Sequence, residues 1–464
     1  MKNLKLLLIA FFVGSMFVSC FEDRDDQIGF ATTLDIQNFI YEGLSIFYLY
    51  KADEPDLADD RFGSLGELNA FLSTFATPES LFDHLLVEQD RFSFLIDDYR
   101  VLERLLDGVT LNNGMEFGLV KIQASGEIFG YVRYVLPNTS ASENGVERGM
   151  IFNSVDGETI TESNFNALFS QTSYTIGLAT LNGDELMATG ESISLTKGQV
   201  TENPIYISKV LTVSGQKIGY LMYNAFTSDF DSQLNAVFAD FKAQGITDLV
   251  LDLRYNGGGS IETANDLSSM ITGQFNGQLF VELVYNGNFS SRNIVFNNEI
   301  EATGETINSL NLNRVFVLTT SSSASASELV ISGLMPYIDI VQIGETTTGK
   351  FQGSTVIYDS PTYTSKVNVS LGHRYAMLPL ILKSVNADGF TDYANGIEPD
   401  ILLQEDFNNL GVLGDPNEPL LSAALDQIAP GLVPFEYPQQ NPNAFKTIGE
   451  SGMNSPVHQR MFVE

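Results

Sequence analysis

The chain has 464 residues, enough for two or three domains of ~100 to 200 residues each. Its 24 lysines and arginines stand against 58 aspartates and glutamates, and a formal net charge of −34 excludes a general nucleic-acid binder because it repels phosphate backbones. The only cysteine, Cys20, cannot form an intramolecular disulfide, and three scattered histidines offer no zinc or haem spacing. We therefore expect a globular protein without disulfides, metal or other cofactor.

The first nineteen residues have the pattern of a secretory signal peptide. Lys2 and Lys5 precede an apolar run over residues 6–18, which is shorter than the ~20 residues of a membrane span. The run ends at residues 17–20 (FVSC), which resemble the lipobox of bacterial lipoproteins. We expect residues 1–19 to be removed and Cys20 to be lipidated, which places the protein in the cell envelope on a lipid anchor. The alternative is an incidental free cysteine.

Three further regions differ in their pattern of apolar residues. Helical spacing predicts a tether and a helical N-terminal region over residues 20–107. Short β-like runs separated by Gly, Asn and Ser predict a strand-rich module over residues 108–200, with one helix near residues 162–169. Residues 431–464 begin with a stretch rich in Pro, Asn and Gln, which predicts a loosely ordered C-terminal tail.

Strands alternate with helices over residues 201–430. The predicted strands cover residues 217–224, 246–254, 315–320 and 338–344, and the predicted helices cover residues 230–244, 261–272 and 325–335. Because these strands are almost continuously apolar, we expect an α/β fold whose sheet is buried on both faces.

Three loops of this α/β region contain residues suited to chemistry. Residues 254–260 (RYNGGGS) follow a buried strand, and their glycines allow backbone N–H groups to approach an anion. Residues 319–328 (TTSSSASASE) join a strand to a helix, where helix N-terminal amides would lie beside the oxyanion formed by a serine nucleophile. Alone, the first pattern is as typical of a plain tight turn, and the second is more typical of a loop with a helix N-cap.

The third loop, residues 344–351 (GETTTGKF), follows another buried strand. It approaches the phosphate-binding pattern GxxxxGK[ST], but Phe351 stands where a magnesium-binding Ser or Thr is required. A serine nucleophile needs a base, and His373 is the only histidine of the predicted core. A neutral lysine can serve instead where burial lowers its pKa, so the sequence permits a Ser/Lys dyad.

In this order, and together with residues 395–400 (NGIEPD), these loops resemble those of the C-terminal processing (tail-specific) serine peptidases. The resemblance spans about residues 108–400. It implies Ser325 as nucleophile, Lys350 as base and an oxyanion hole from the amides of Gly258 and Ala326. It also implies an α/β fold with a crotonase-like ββα catalytic core at residues 201–430, and an inserted or preceding PDZ-like domain at residues 108–200.

Residues 115–120 (MEFGLV) resemble the carboxylate-binding loop of a PDZ domain. The resemblance implies that Phe117, Gly118 and Leu119 bind a peptide added as a strand. Apolar side chains such as Leu119 and Ile122 would then favour protein or peptide substrates with apolar C-termini.

Two positions depart from the family pattern. Many members have a glutamine four positions after the lysine; this chain has Ser354 there, with Gln352 as the nearest glutamine, so these two residues are the candidates for supporting the dyad. Gly257 stands where proline is common. The resemblance implies a lipid-anchored serine endopeptidase that acts through an acyl-enzyme. The alternatives are a catalytically weak or inactive peptide-binding lipoprotein of the same fold, and a relative in which His373 assists catalysis.

Overall fold

The computed structural model describes residues 29–429 and 444–463, so the predicted signal peptide and Cys20 lie outside the described residues. The helices are α1 (Thr33–Phe47), α2 (Leu65–Leu72), α3 (Pro78–His84), α4 (Tyr99–Leu106), α5 (Ser140–Glu143), α6 (Phe165–Ser170), α7 (Asp231–Gln244), α8 (Ile261–Ile271), α9 (Ala326–Leu334) and α10 (Pro419–Ile428). Within the described residues, no helix has the length and apolar character needed to cross a membrane.

The described residues contain 24 strands. They are β1 (Phe94–Ile96), β2 (Val109–Asn112), β3 (Met115–Ile122), β4 (Ile128–Val135), β5 (Ile151–Val155), β6 (Glu158–Thr159), β7 (Ser173–Asn182), β8 (Glu185–Thr196), β9 (Gly198–Thr201), β10 (Ile205–Val213), β11 (Gln216–Tyr223), β12 (Asp248–Asp252), β13 (Gly259–Ser260), β14 (Leu279–Tyr285), β15 (Arg292–Val295), β16 (Arg314–Thr319), β17 (Asp339–Gly344), β18 (Gln352–Ser354), β19 (Ile357–Tyr358), β20 (Ala376–Leu378), β21 (Leu380–Asn386), β22 (Ile401–Leu402), β23 (Phe445–Glu450) and β24 (Met461–Phe462).

A six-stranded sheet in the order β10-β11-β12-β16-β17-β22 forms the centre of the α/β region, and all of its strands are parallel except β10. The strands and helices predicted here are confirmed, each within two residues of its predicted bounds. Leu249 and Leu251 of β12 pack into one apolar cluster, and Val250 between them packs into another. The sheet is therefore buried on both faces, as its apolar sequence predicts.

Helices α7, α8 and α9 pack between this sheet and a second six-stranded sheet, β13-β24-β18-β21-β14-β15. Helix α10 covers the opposite face of the first sheet through Leu420 and Leu421. Because β12, β16 and β17 are adjacent and parallel, the three loops that follow them emerge side by side at the carboxyl edge of the sheet. This topology brings together the three loops singled out in the sequence.

The strand-rich module is an antiparallel sheet in the order β23-β3-β4-β5-β7-β8, with β6 paired to β5. Its helix α6 lies where the sequence predicts a helix. Phe117, Phe152 and Ile176 belong to the apolar core of the module.

The N-terminal region is helical, as predicted. Helix α1 begins after Thr32, whose hydroxyl accepts a hydrogen bond from the Asp35 amide while the Asp35 carboxylate accepts one from the Thr32 amide. Ile40 and Leu44 of α1 pack against Ile357 and Met377 of the α/β region, so this region is docked on the core.

The prediction of a loosely ordered tail over residues 431–464 is wrong for residues 444–463. Strand β23 adds to the strand-rich module beside β3, and β24 lies between β13 and β18 of the second sheet. The Pro-, Asn- and Gln-rich stretch at residues 437–442 lies outside the described residues. Its composition is no guide to the residues that follow, because backbone pairing with two existing sheets orders them.

Candidate active site

Ser325 lies immediately before helix α9, at the carboxyl end of β16. Its backbone has φ of 67° and ψ of −115°, and residues other than glycine seldom adopt a positive φ. The residue is fully buried, and its Oγ atom has no hydrogen-bond partner in the described part of the chain. A strained backbone and an unpartnered buried hydroxyl are both costly, and such features cluster at functional sites.

Lys350 is also fully buried, and among the described residues its Nζ atom has no hydrogen-bond partner. Nζ lies 4.9 Å from the ring centroid of Phe92. Burial lowers the pKa of the Lys350 amine well below its usual range, and the nearby charge of Arg460 lowers this pKa further. The site therefore favours the neutral amine, which is the form that can accept a proton.

The carboxylate of Glu328, in the first turn of α9, joins the two loops. Its Oε2 atom accepts hydrogen bonds from the backbone N–H of Ser325 at 2.7 Å and of Lys350 at 2.8 Å. Its Oε1 atom accepts bonds from the Gly349 amide at 2.7 Å and from the Thr347 hydroxyl at 2.5 Å. One buried side chain thus fixes the spacing between the candidate nucleophile and the candidate base, a role that sequence reasoning missed.

The glycine loop lies against Ser325. A Cβ atom on Gly258, whose φ is 109°, would lie 2.6 Å from Ser325 Cβ and 2.9 Å from Ser325 Oγ, so only glycine fits. The Gly258 amide, predicted to stabilise an oxyanion, donates instead to the Asn256 side chain at 2.8 Å. The amide of Ala326 is the first N–H of α9, a position without an acceptor inside the helix.

The N-terminal region also reaches this site. Arg91 donates from its guanidinium to the carbonyl of Gly349 at 3.1 Å, and Phe92 covers the Lys350 amine. These two residues precede Lys350 by more than 250 positions, so no local motif could have indicated them.

The two candidates for supporting the dyad lie on β18, directly after Lys350. Gln352 donates from its side-chain amide to the hydroxyl of Tyr50 at 2.7 Å. Ser354 is fully buried, and its Oγ atom has no hydrogen-bond partner in the described part of the chain.

Two alternatives raised by the sequence do not fit the geometry. Both ring nitrogens of His373 are engaged elsewhere, Nε2 with the Asp359 carboxylate at 2.9 Å and Nδ1 with the Tyr375 amide at 3.0 Å. In the loop that approaches a phosphate-binding pattern, the amides of Gly349 and Lys350 are bonded to Glu328. That loop therefore presents a carboxylate, and not free N–H groups, where a phosphate would lie.

The predicted peptide-binding residues Phe117, Gly118 and Leu119 lie on β3, at the edge that pairs with β23. Leu119 and Ile122 belong to different apolar clusters on opposite faces of the sheet, so they do not line one pocket. Their separation follows from the alternation of side chains along a strand, which places residues three positions apart on opposite faces.

The strand-rich module meets the serine loop through Arg133 of β4. Its guanidinium donates to the Ser322 hydroxyl at 3.0 Å and forms an ion pair with Glu450 of β23. A cavity of about 570 Å³ adjoins this contact, and Phe117, Gly258 and His458 are among the residues lining it. The strand edge of β3 and the glycine loop beside Ser325 thus border one cavity.

Comparison with known proteins shows which family this chain resembles. Residues 217–403 match the model of peptidase family S41, and residues 35–94 match the model of the peptidase S41 N-terminal domain. The chain is 27% identical over 162 residues to a carboxyl-terminal-processing protease of Picosynechococcus, with 35% of this chain and 36% of the relative covered. It is 23% identical over 300 residues to the chloroplastic carboxyl-terminal-processing peptidase 3 of Arabidopsis thaliana, with 61% of this chain and 52% of the relative covered.

The chain spans about a third to a half of the length of these two curated relatives. Solved structures are matched over more of their length. A Bacteroides fragilis protein assigned to the S41 proteases has a TM-score of 0.65 at 25% identity, with 84% of this chain and 96% of that chain covered. The photosystem II D1 C-terminal processing protease shares the fold, with a TM-score of 0.50 at 18% identity over 81% of this chain and 94% of that chain. The two family models account for both the docked N-terminal region and the α/β core, and the chain belongs to peptidase family S41.

Proposed function

We propose that this protein is a serine endopeptidase in which Ser325 is the nucleophile and Lys350 is the base. The observation that carries the proposal is the pair of buried, unpartnered side chains held on two loops by the Glu328 carboxylate. Burial of Lys350 favours its neutral form, which supports a role as proton acceptor. The family relationship supports the same chemistry.

The proposed reaction proceeds through an acyl-enzyme. Ser325 Oγ attacks the carbonyl carbon of the scissile peptide bond while Lys350 takes the hydroxyl proton. Lys350 then gives this proton to the leaving amine, and the carbon–nitrogen bond breaks. Water attacks the ester, with Lys350 again accepting a proton, and the released serine takes it back. In this mechanism the amide of Ala326 donates to the oxyanion, and the amide of Gly258 joins it by turning away from Asn256.

A fluorophosphonate probe tests the proposal directly. We expect it to label Ser325 in the wild type and not in Ser325→Ala, and we expect only the wild type to digest casein. The alternative of an inactive peptide-binding lipoprotein is supported if Ser325 is never labelled although peptides bind.

We expect activity to rise with pH through the neutral range. Protonated Lys350 cannot accept the serine proton, and its lowered pKa increases the neutral fraction near pH 7. The kcat/KM of a short fluorogenic peptide should therefore climb to a plateau below the usual pKa of lysine, 10.5. A profile that is flat from pH 5 to 9, within a range in which the protein remains folded, would contradict the role of Lys350.

We also propose that the core has the crotonase-like ββα arrangement and that residues 108–200 are a PDZ-like domain. A peptide would then add to β3, with its chain end near Phe117, and bring an upstream bond to Ser325. The apolar residues Phe117, Leu119 and Phe169, which are among those lining the cavity, support a preference for apolar substrate side chains.

This substrate proposal predicts faster cleavage of peptides that end in a free apolar C-terminus than of the same peptides amidated there. The reason is that backbone N–H groups at one end of the groove favour a carboxylate, whereas the net charge of −34 attracts no anion in general. The ratio of kcat/KM for the acid and amide forms measures the effect. Gly118 is a poor site for a blocking mutation, because any side chain there would collide with the ring of Tyr131. Equal cleavage of the acid and amide peptides would indicate that the strand-rich module has a structural role and does not select the substrate.

We further propose that Cys20 is lipidated and anchors the protein in the cell envelope. Cys20 is the only cysteine and follows the apolar run of the signal peptide. Metabolic labelling with a clickable fatty acid should mark the wild type, and Cys20→Ser should be unmarked and released from the membrane fraction. Labelling of Cys20→Ser at the wild-type level would refute the anchor.

A further inference from the structure

We propose that residues 444–463, here called the C-terminal segment, occupy the peptide-binding cleft of their own chain, and that a substrate binds by displacing them. The proposal rests on the proposed peptidase function and adds a resting state to it. Four observations support it: the position of β23, the path of residues 459–462, the burial of Ser325 and Lys350, and the presence of both favourable and unfavourable contacts along the segment.

Strand β23 takes the place of an added peptide. It runs antiparallel to β3, with Phe445 opposite Ile122 and Glu450 opposite Gly118. The next residue, Ser451, donates its backbone N–H to the Phe117 carbonyl at 2.9 Å and accepts a bond from the Phe117 amide on its hydroxyl at 3.1 Å. The amides and carbonyls that an incoming peptide would need are therefore already engaged by the chain itself.

The segment then follows the glycine loop residue by residue. A Cβ atom on Gly257 would lie 3.2 Å from the Gln459 amide nitrogen, and one on Gly258 would lie 2.5 Å from the Arg460 carbonyl oxygen. Met461 and Phe462 pair in parallel with residues 259–260. The backbone of the segment therefore lies directly beside Ser325, where a substrate backbone would have to lie.

An apolar side chain of the segment packs into the core of the α/β region. Met461 is fully buried and belongs to the same apolar cluster as Ala326 and Phe351, the neighbours in sequence of Ser325 and Lys350. Ser325 and Lys350 are themselves fully buried. An external peptide cannot contact the Ser325 hydroxyl while residues 459–462 remain in place.

The contacts of the segment combine one strong anchor with two unfavourable features. The Glu450 carboxylate pairs with Arg133, accepts a bond from the Ser322 hydroxyl at 2.5 Å and lies 3.0 Å from His458. Arg460 is a buried guanidinium close to Lys350, and its Nη1 atom has no hydrogen-bond partner among the described residues. A buried guanidinium with an unpaired N–H group opposes the bound state.

A second unfavourable feature lies on β23. Lys446 stands directly opposite Lys121, an arrangement of like charges that weakens strand pairing, and the Glu162 carboxylate, 2.7 Å from the Lys121 amine, offsets part of this repulsion. Glu450 is thus the side-chain anchor of the segment, and release of the segment also breaks the pairing of β23 with β3 and of β24 with β13 and β18.

A reversible cross-link tests whether the segment blocks the cleft. In the full chain with Cys20→Ser, the pair Lys121→Cys and Lys446→Cys places two thiols opposite each other on β3 and β23. We expect oxidation to lower both fluorophosphonate labelling and kcat/KM about tenfold or more, because apparent activity follows the fraction of chains with an open cleft. Reduction should restore both. The matched control, Thr175→Cys with Ser194→Cys, cross-links β7 to β8 and should respond to neither treatment.

A second variant opens the cleft instead. Glu450→Gln removes the charge that pairs with Arg133, and we expect it to raise kcat/KM about tenfold by increasing the open fraction. A synthetic peptide with the sequence of residues 444–463 should inhibit this variant competitively. Thr447→Ala, at an exposed position of the same strand, should keep wild-type activity.

The outcomes separate this inference from the peptidase proposal. If the oxidised cross-linked chain is as active as the reduced one, or if Glu450→Gln shows wild-type activity and the peptide does not inhibit it, the segment does not block the cleft. If Ser325 remains unlabelled in every variant, Glu450→Gln and the reduced chain included, the peptidase proposal itself is wrong.

Discussion

Peptide hydrolysis is expected to disappear when Ser325 is replaced by alanine, and equally when Lys350 is replaced by methionine. A nucleophile and its base act as a unit, so the loss of either lowers kcat about 10³-fold or more. Methionine retains most of the apolar volume of the buried lysine and removes only the amine, which separates loss of the base from loss of packing. Casein digestion and the kcat of a fluorogenic peptide measure the effect.

Two control variants keep this test specific. Ser321→Ala changes an exposed serine of the same loop, and Lys383→Ala removes a lysine paired in register with Gln352. Both should retain activity, and thermal unfolding should show that all four variants are folded. Hydrolysis at more than a few per cent of the wild-type rate in Ser325→Ala or in the methionine variant would refute the dyad.

The central α/β core was predictable from the sequence because its signals are local and strong. Continuous apolar strands such as residues 246–254 can be buried only between two layers, and glycines and serines mark the loops that follow β12 and β16. Adjacent parallel strands then bring these loops together. The sequence could therefore indicate which residues meet at the site, but not their spacing.

The remainder of the site depends on contacts between residues far apart in the chain. Arg91 and Phe92 reach the Lys350 loop only because the N-terminal region docks on the core. Residues 444–463 are ordered by pairing with β3 and β13. The polar, proline-rich sequence of the preceding residues 437–442 does not predict this pairing. Glu328 looks like an ordinary acidic residue in the first turn of a helix, a position that the helix dipole favours in any protein.

Glu328→Gln is expected to lower both stability and activity. The carboxylate accepts four hydrogen bonds, from Ser325, Thr347, Gly349 and Lys350, and the amide group of glutamine turns one of the two accepting oxygens into a donor. Each buried donor left unpaired costs about 1–3 kcal/mol of unfolding free energy. Denaturant unfolding should therefore show a loss of about 2–6 kcal/mol for the two donors affected.

The effect of Glu328→Gln on catalysis should exceed its effect on substrate binding. Glu328 is a positioning residue: it sets the distance between the Ser325 and Lys350 backbones, and a displacement of about 1 Å can lower kcat about 10²-fold while KM changes little. Glu345→Gln is the comparison variant, since the carboxylate of this acid accepts bonds from the Gln404 side chain, at 3.1 Å, and from the Ser321 backbone, but not from Ser325 or Lys350. A Glu328→Gln enzyme that is destabilised but has the wild-type kcat would show that this carboxylate supports the fold alone, and that the spacing of nucleophile and base is set by other contacts.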